Sequence, residues 1–404
     1  MEEFVNWRAN LRLAITASFL VQIVYGLLWS IYAPFLRAQG FSGTLYGIIG
    51  SASVFSSIAG SLAGGWFSDK FNPKWILWAG LILNALGTIV LSLGGFYQTL
   101  VASIATGFGG GVAWVSLAAL LGKMIPDSEM DTAFSYMNAA NLFGGAVGSF
   151  MGWIPVIYHE SIGVSLFESY KLFLRVGALA LLLAVTPFIL RLRFRGHSVE
   201  EGKVTSQGAI PWPIFYKLTI VEMIIGFGAA LSIHNIDYYF VLKYGVSSAE
   251  LGTTLGLQQG LMGTLTLLMP RFSRRVGGPL RAYIILTSSS IPLLILMTLV
   301  NNFAIAASLY IARSILMNVA NPLYQAFQMT LLPREFRGRG SAILGIAWQV
   351  PVGLGRSVGG ALLDIDLELP LRITAVLYTV ALTLLATFFP EQVRSGKARF
   401  QFSS

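Results

Sequence analysis

Cysteine is missing altogether, histidine occurs three times, and charge of either sign is scarce. Without cysteine there are no disulfides, no thiolate chemistry and no cysteine-ligated metals. His159, His197 and His234 are too few and too scattered for a histidine metal site, so no metal is expected. Charged residues make up 11% of the 404, whereas a soluble globular chain carries about 25%. Too little water-facing surface remains for a soluble enzyme, a nucleic-acid binder or a disordered scaffold. What is present is apolar: 55% hydrophobic residues, 13% aromatic residues and a mean hydropathy of +0.70, with 43 glycines spread through the apolar runs. This is the composition of an all-α integral membrane protein, whose first partner is the lipid bilayer.

A spanning helix needs about 20 mostly apolar residues. Qualifying runs lie near 10–36, 42–68, 75–96, 98–122, 132–156 and 170–193, then near 213–240, 246–269, 281–301, 303–328, 339–362 and 368–389. The first run is too long for a signal-peptide core and no cleavage site follows it, so it is expected to persist in the mature protein. The net charge of +9, which in a soluble chain would suggest nucleic acid, here reports topology. Of 27 Lys and Arg, twenty fall at the termini and in the gaps after even-numbered spans, five on the opposite side and two inside spans. The positive-inside rule therefore places both termini in the cytoplasm of a multi-pass protein of the cell membrane. The longest interruption, 194–212, divides the chain into an N-terminal bundle (1–193) and a C-terminal bundle (213–404) of six spans each. The short remaining loops leave no room for a soluble catalytic domain.

The halves repeat one another. Gly40-Phe41-Ser42 through Gly47 aligns with Gly245-Val246-Ser247 through Gly252 at an offset of 205, and Pro126 and Gly152 align with Pro333 and Gly359 at 207. Between spans two and three stands Gly65-Trp66-Phe67-Ser68-Asp69-Lys70-Phe71-Asn72-Pro73-Lys74. This segment resembles the G-x-L-a-D-R-x-G-R-K loop of the major facilitator superfamily, with Asn-Pro in place of Gly-Arg. Its second-half copy, Pro270 to Gly277, has Arg where the acid belongs, and Pro333 to Arg339 is similar to the family's P-E-x-x-R-G loop. The resemblance implies two pseudo-symmetric six-helix bundles rocking about a central site, with spans one, four, seven and ten lining it. It also implies that Asp69, with Lys70 beside it and Lys123 as a basic partner, latches the cytoplasmic side, and that Arg337 belongs to the matching second-half loop.

Polar residues inside spans are functional candidates by default, because hydrocarbon penalises them. Gln22, Tyr25, Trp29 and Tyr32 form one helical stripe on the first span. They either face a wet cavity or, for Trp29 and Tyr32, sit in the outer aromatic belt. In the seventh span, His234 and Asp237 lie three apart and are candidates for proton handling, histidine being the side chain that titrates near neutral pH. The alternative is that Asp237 is simply solvated in the outer headgroup region. Glu222 lies about ten residues into the same span and either carries a proton or pairs with Lys217 or a helix end at the inner gate.

Arg313 in span ten and Arg356 in span eleven stay charged and bind carboxylate or phosphate in a fork. Arg313 is read as a contact to an anionic substrate, and Arg356 as a structural or gating pair. Asn321 and Tyr324 continue the Arg313 stripe, Trp114 is the repeat mate of Asn321, and Asn138, Asn141 and Trp348 are further lining candidates. Gly107-Phe108-Gly109-Gly110-Gly111 lacks the Lys-Ser/Thr of a phosphate loop, so no nucleotide cofactor is expected. The expectation is a non-enzymatic secondary transporter, acting as a monomer, that moves a small polar or anionic solute by alternating access with proton coupling. The rival readings are proton-driven export of lipophilic cations and a non-transporting sensor or scaffold.

Overall fold

A computed structural model describes residues 7–126, 129–191, 212–266, 268–332 and 337–395. Among these residues the regular structure is entirely helical. The first half runs α1 (Trp7–Ala38), α2 (Gly43–Lys70), α3 (Pro73–Leu91), α4 (Phe96–Met124), α5 (Met130–Phe150), α6 (Trp153–Ile162) and α7 (Leu166–Arg191). The second runs α8 (Trp212–Ser232), a 3-10 turn (Ile233–Asn235), α9 (Ile236–Tyr244), α10 (Ser248–Thr266), α11 (Met269–Val276), α12 (Pro279–Leu299), α13 (Phe303–Asn318), α14 (Asn321–Leu331), α15 (Arg337–Ile365), α16 (Leu369–Phe388) and α17 (Pro390–Ser395). Ten segments, counting α5–α6, α8–α9 and α13–α14 as one each, are long and apolar enough to cross a membrane. With α10 and α15 the expected twelve crossings are complete, in two six-helix halves. The 194–212 connection lies, apart from Trp212, outside the described residues.

Three crossings that the sequence reads as continuous are broken. Span five stops at Phe150 and resumes at Trp153, ahead of Pro155, whose ring excludes the α-helical carbonyl four residues back. Span ten stops at Asn318 and resumes at Asn321, where Pro322 has the same effect. Span seven breaks at Ile233–Asn235 with no proline or glycine there; the Ile236 N–H donates to the Ile233 carbonyl, and the Asn235 side chain donates to the Ala230 carbonyl. Elsewhere the ends follow from the sequence. Ser42, Asn72 and Asn302 accept from the third or second N–H of the helices they open. Gly40, Gly163 and Gly277, all at positive φ, end α1, α6 and α11.

The described chain falls into two compact units. One comprises residues 1–198 with 240–260, the other 199–239 with 261–404. In the first, α2 and α3 pack on α4, and α1 packs on α5 and α7. Residues 240–260 join this unit by polar contacts: Ser248 Oγ donates to the Gly152 carbonyl at 2.7 Å, and Trp153 Nε1 donates to Thr253 Oγ1 at 2.9 Å. In the second unit, α15 and α16 pack on α8, and α12 packs on α13 and α16. Its core is unusually aromatic: Phe215, Tyr283, Tyr324, Phe327, Tyr378 and Phe389 are all buried.

Candidate functional site

In the first unit the α1 stripe divides by exposure. Trp29 is 70% exposed, whereas Gln22, Tyr25 and Tyr32 are half-buried. The Tyr32 hydroxyl lies 3.4 Å from Ser103 Oγ on α4, and its ring leans on Tyr46 of α2. Trp114 on α4 is 67% exposed, Asn138 is exposed and Asn141 is half-buried. The two open tryptophans offer broad apolar faces, and the hydroxyl and amide groups are held nearer the helix contacts.

At the ends of α2 and α4, Lys123 Nζ donates to the Ser68 carbonyl at 3.1 Å. That carbonyl belongs to the last turn of α2, where a cation meets the negative end of the helix dipole. Asp69 and Lys70 follow it, both exposed, with the Lys70 ammonium 3.8 Å from the centre of the Trp66 ring. Base and indole thus meet at the end of α2, with Asp69 exposed beside them in the chain. Arg337 opens α15, but its side chain lies outside the described residues.

The second unit gathers the ionisable candidates into two clusters. In the first, Glu222 of α8 is half-buried and accepts a short hydrogen bond from Gln328 Nε2 of α14. Beside it the rings of Tyr283 and Tyr324 stack at 4.2 Å and 10°, close enough for the carboxylate to act electrostatically on both hydroxyls. Lys217 is turned elsewhere: its ammonium lies over the rings of Phe388 and Phe389. Tyr324 is therefore buried in an aromatic wall, while Asn321, at the start of α14, donates to Asn318 Oδ1 at 3.2 Å. Trp348 is half-buried, and its backbone approaches Gly226 of α8.

The second cluster is cationic. Arg313 of α13 is 1% exposed. One terminal nitrogen donates to the Tyr378 hydroxyl at 3.1 Å, the guanidinium lies 5.4 Å from the centre of that ring, and Nε is buried without a partner. A central arginine costs about 2.5–3.5 kcal/mol on insertion scales, and the Tyr378 contact offsets part of that. His234 is exposed, and both Arg313 and Arg356 act electrostatically on its ring. Asp237 is half-buried and lies past the 3-10 turn, so the helical stripe expected to join it to His234 is interrupted. Asn235 Nδ2 donates to the carbonyls of Ala230 and Arg356, both at 3.2 Å, and ties the break to α15.

Gln328, Tyr283 and Tyr378 were not among the residues expected from the sequence. Gln328 carried a usable signal, an amide inside an apolar segment. Tyr283, near the start of α12, and Tyr378, midway along α16, carried none, because single tyrosines in apolar spans are commonplace.

Helices making twelve membrane-length crossings among the described residues, an internal repeat and ionisable groups within the spans define a multi-pass membrane protein. The family model of the Major Facilitator Superfamily matches residues 14–356, with a second match over 218–401, and the chain belongs to that family. The quinolone resistance protein NorA of Staphylococcus aureus (strain MRSA252) is 22% identical over 260 residues, covering 61% of this chain and 62% of that one. The chain thus spans less than two thirds of that relative's length. Multidrug resistance protein 1 of Bacillus subtilis (strain 168) is also 22% identical, over 385 residues, or 93% of this chain and 95% of that one. Among solved structures, an inward-facing bacterial homologue of the human lysosomal transporter Spinster shares the fold. Its TM-score is 0.73, with 15% identity over 99% of this chain and 100% of that one. The xylose transporter XylE from E. coli, in an inward open conformation, has a TM-score of 0.70 and 15% identity, over 95% of this chain and 97% of that one.

Proposed function

We propose that this protein is a monomeric, proton-coupled secondary transporter of the plasma membrane that exports lipophilic, preferentially cationic solutes by alternating access. The two halves, 1–193 and 213–404, would rock about the solute, with both termini in the cytoplasm and Asp69, Lys70 and Lys123 latching that side. The observation that carries this reading is Glu222, a half-buried carboxylate with one amide donor beside a stacked pair of tyrosines. Such a group holds either a proton or an organic cation but not both. The adjacent aromatic faces favour a soft cation. Competition for one carboxylate is by itself an exchange mechanism: the solute leaves when the proton arrives.

The relatives' names agree with export. Burial of Arg313 against Tyr378 weighs against the polar-anion reading, since the guanidinium is enclosed by the helices of its own unit. Trp29, Trp114, Trp348, Gln22, Tyr25, Tyr32, Asn138, Asn141, Asn321 and Tyr324 are proposed to shape the solute path. His234 and Asp237 are kept as accessory proton groups, and Arg356 as the cation beside them.

The test uses proteoliposomes loaded with a pH-sensitive dye and given a lipophilic cation. Wild type should release protons from its carrier on addition of the cation. Glu222→Gln should lose that signal, while Arg313→Met should retain it. Proton movement that survives in Glu222→Gln and disappears in Arg313→Met would return the anion reading to first place.

A further inference from the structure

Between residues 251 and 363 the sequence holds nine arginines, no lysine and a single acid, Glu335. Four of those arginines come together at α11 and the start of α12. Helix α11 is eight residues long, about 12 Å, too short to cross a bilayer, and it connects two membrane-length helices, α10 and α12. Its position is therefore at the membrane surface. Arg271, Arg274 and Arg275 recur at the i, i+3, i+4 spacing and are exposed, while Met269, Phe272, Ser273 and Val276 turn inward. Gly277 and Gly278, both at positive φ, fold the chain back through N–H donations to the Ser273 carbonyl. Arg281 then reaches back, so that its Nη1 lies 2.8 Å from where a β-carbon on Gly277 would stand. Among the described residues none of these four guanidinia has an ion pair or a hydrogen bond.

The first-half counterpart is built differently. There Asp69 stands among Lys70 and Lys74; Lys70 lies on Trp66, and Lys74 Nζ donates to the Leu190 carbonyl at 2.9 Å. The second-half loop has exchanged the acid for arginine, and among the described residues its cations are unengaged. Topology alone asks for positive charge at this end of the helices, but not for three exposed forks on one short amphipathic helix and a fourth at the start of the next, without a counter-charge among the described residues. An amphipathic helix with a basic outer face lies in the interface plane of a bilayer. Arginine, unlike lysine, grips a phosphodiester in two parallel hydrogen bonds.

We propose that α11 with Arg281 is a docking site for the headgroups of anionic phospholipids, held by Arg271, Arg274, Arg275 and Arg281. The site is independent of the solute path. It ties the second unit to the charged surface of the membrane and makes the stability of the protein depend on lipid charge.

The experiment compares the full chain, delipidated and reconstituted into nanodiscs of phosphatidylcholine alone or mixed with phosphatidylglycerol. Phosphatidylglycerol should raise the melting temperature of wild type. The rise should vanish in a variant carrying Arg271→Gln, Arg274→Gln and Arg275→Gln together, and persist when Arg8, Arg12 and Arg191 are changed to Gln instead. A rise that both variants keep, or that both lose, overturns the proposal. So does an equal rise when inorganic phosphate is added to wild type in phosphatidylcholine. If the triple variant does not fold, a salt titration of wild type decides. The phosphatidylglycerol effect should fall steadily as salt screens the pairing, and a salt-independent effect refutes the site.

Discussion

Gly148 shows how little freedom some single positions have. A β-carbon built there would collide with the Ile23 carbonyl of α1, and Gly144 stands in the same relation to Phe19 one turn away. Gly355 and Gly359 of α15 repeat the arrangement against the carbonyls of Phe227 and Leu231 in α8. Lipid tails are as apolar as leucine, so helices in a membrane associate by close packing, and small residues bring the backbones together. By contrast Gly345, inside α15, has nothing within 4 Å of the β-carbon position. Gly148→Ala is expected to destabilise by about 1–3 kcal/mol, the usual range for overpacking. Gly345→Ala should be neutral or gain about 0.5–1 kcal/mol from lost chain freedom in the unfolded state. Melting temperatures of the two purified variants measure the contrast. Equal values would mean that α1 and α5 can move apart without loss.

Among the elements, the broken seventh span carries the most consequence. Opening a helix inside a membrane frees backbone groups that no water can satisfy, so a break survives only where side chains replace the lost pairing. Asn235 does this by donating to the carbonyl of Ala230, in the last turn of α8, and to that of Arg356 on α15. Just before the break, Ser232 Oγ donates to Thr374 Oγ1, and Thr374 Oγ1 donates to the Gly228 carbonyl, which anchors α8 to α16. Asn235→Leu keeps the volume and removes both donations. Its expected cost is about 1–3 kcal/mol, the penalty for leaving a buried acceptor unsatisfied. Ser289→Ala, which removes only an exposed hydroxyl bonded within its own helix, serves as the control and should melt near wild type. If Asn235→Leu also melts like wild type, the break is held by the α8–α15 packing alone.

At the scale of the whole molecule, the twelve crossings were legible because a bilayer imposes two global constraints on sequence. Each span must be long and apolar, and basic residues must collect at alternate ends. Neither constraint reports on irregularity within a span, and so the breaks at 151–152, 233–235 and 319–320 went unread, although Pro155 and Pro322 marked two of them. Arg313 was legible as exceptional, but not which way it points. Its partner, Tyr378, is 65 residues away, and the helical period gives a face without saying what that face meets. Glu222 was found by the same rule; Gln328, 106 residues on, meets that rule too, but nothing in the sequence names it as the partner of Glu222.

The orientation read from charge can be tested directly, because a chain without cysteine is already a background for single-cysteine labelling. Ser161, in the last turn of α6, and Asn301, in the connection before α13, are exposed on the side poor in lysine and arginine, and Lys70 and Arg274 are exposed on the rich side. A membrane-impermeant maleimide added to intact cells should modify Ser161→Cys and Asn301→Cys. It should reach Lys70→Cys and Arg274→Cys only after the membrane is opened. The four sites draw on both halves, so the pattern tests the count of crossings as well as the orientation. A missing or extra crossing between residues 70 and 274 would put these two cysteines on opposite sides, whereas an inverted molecule would exchange all four results together.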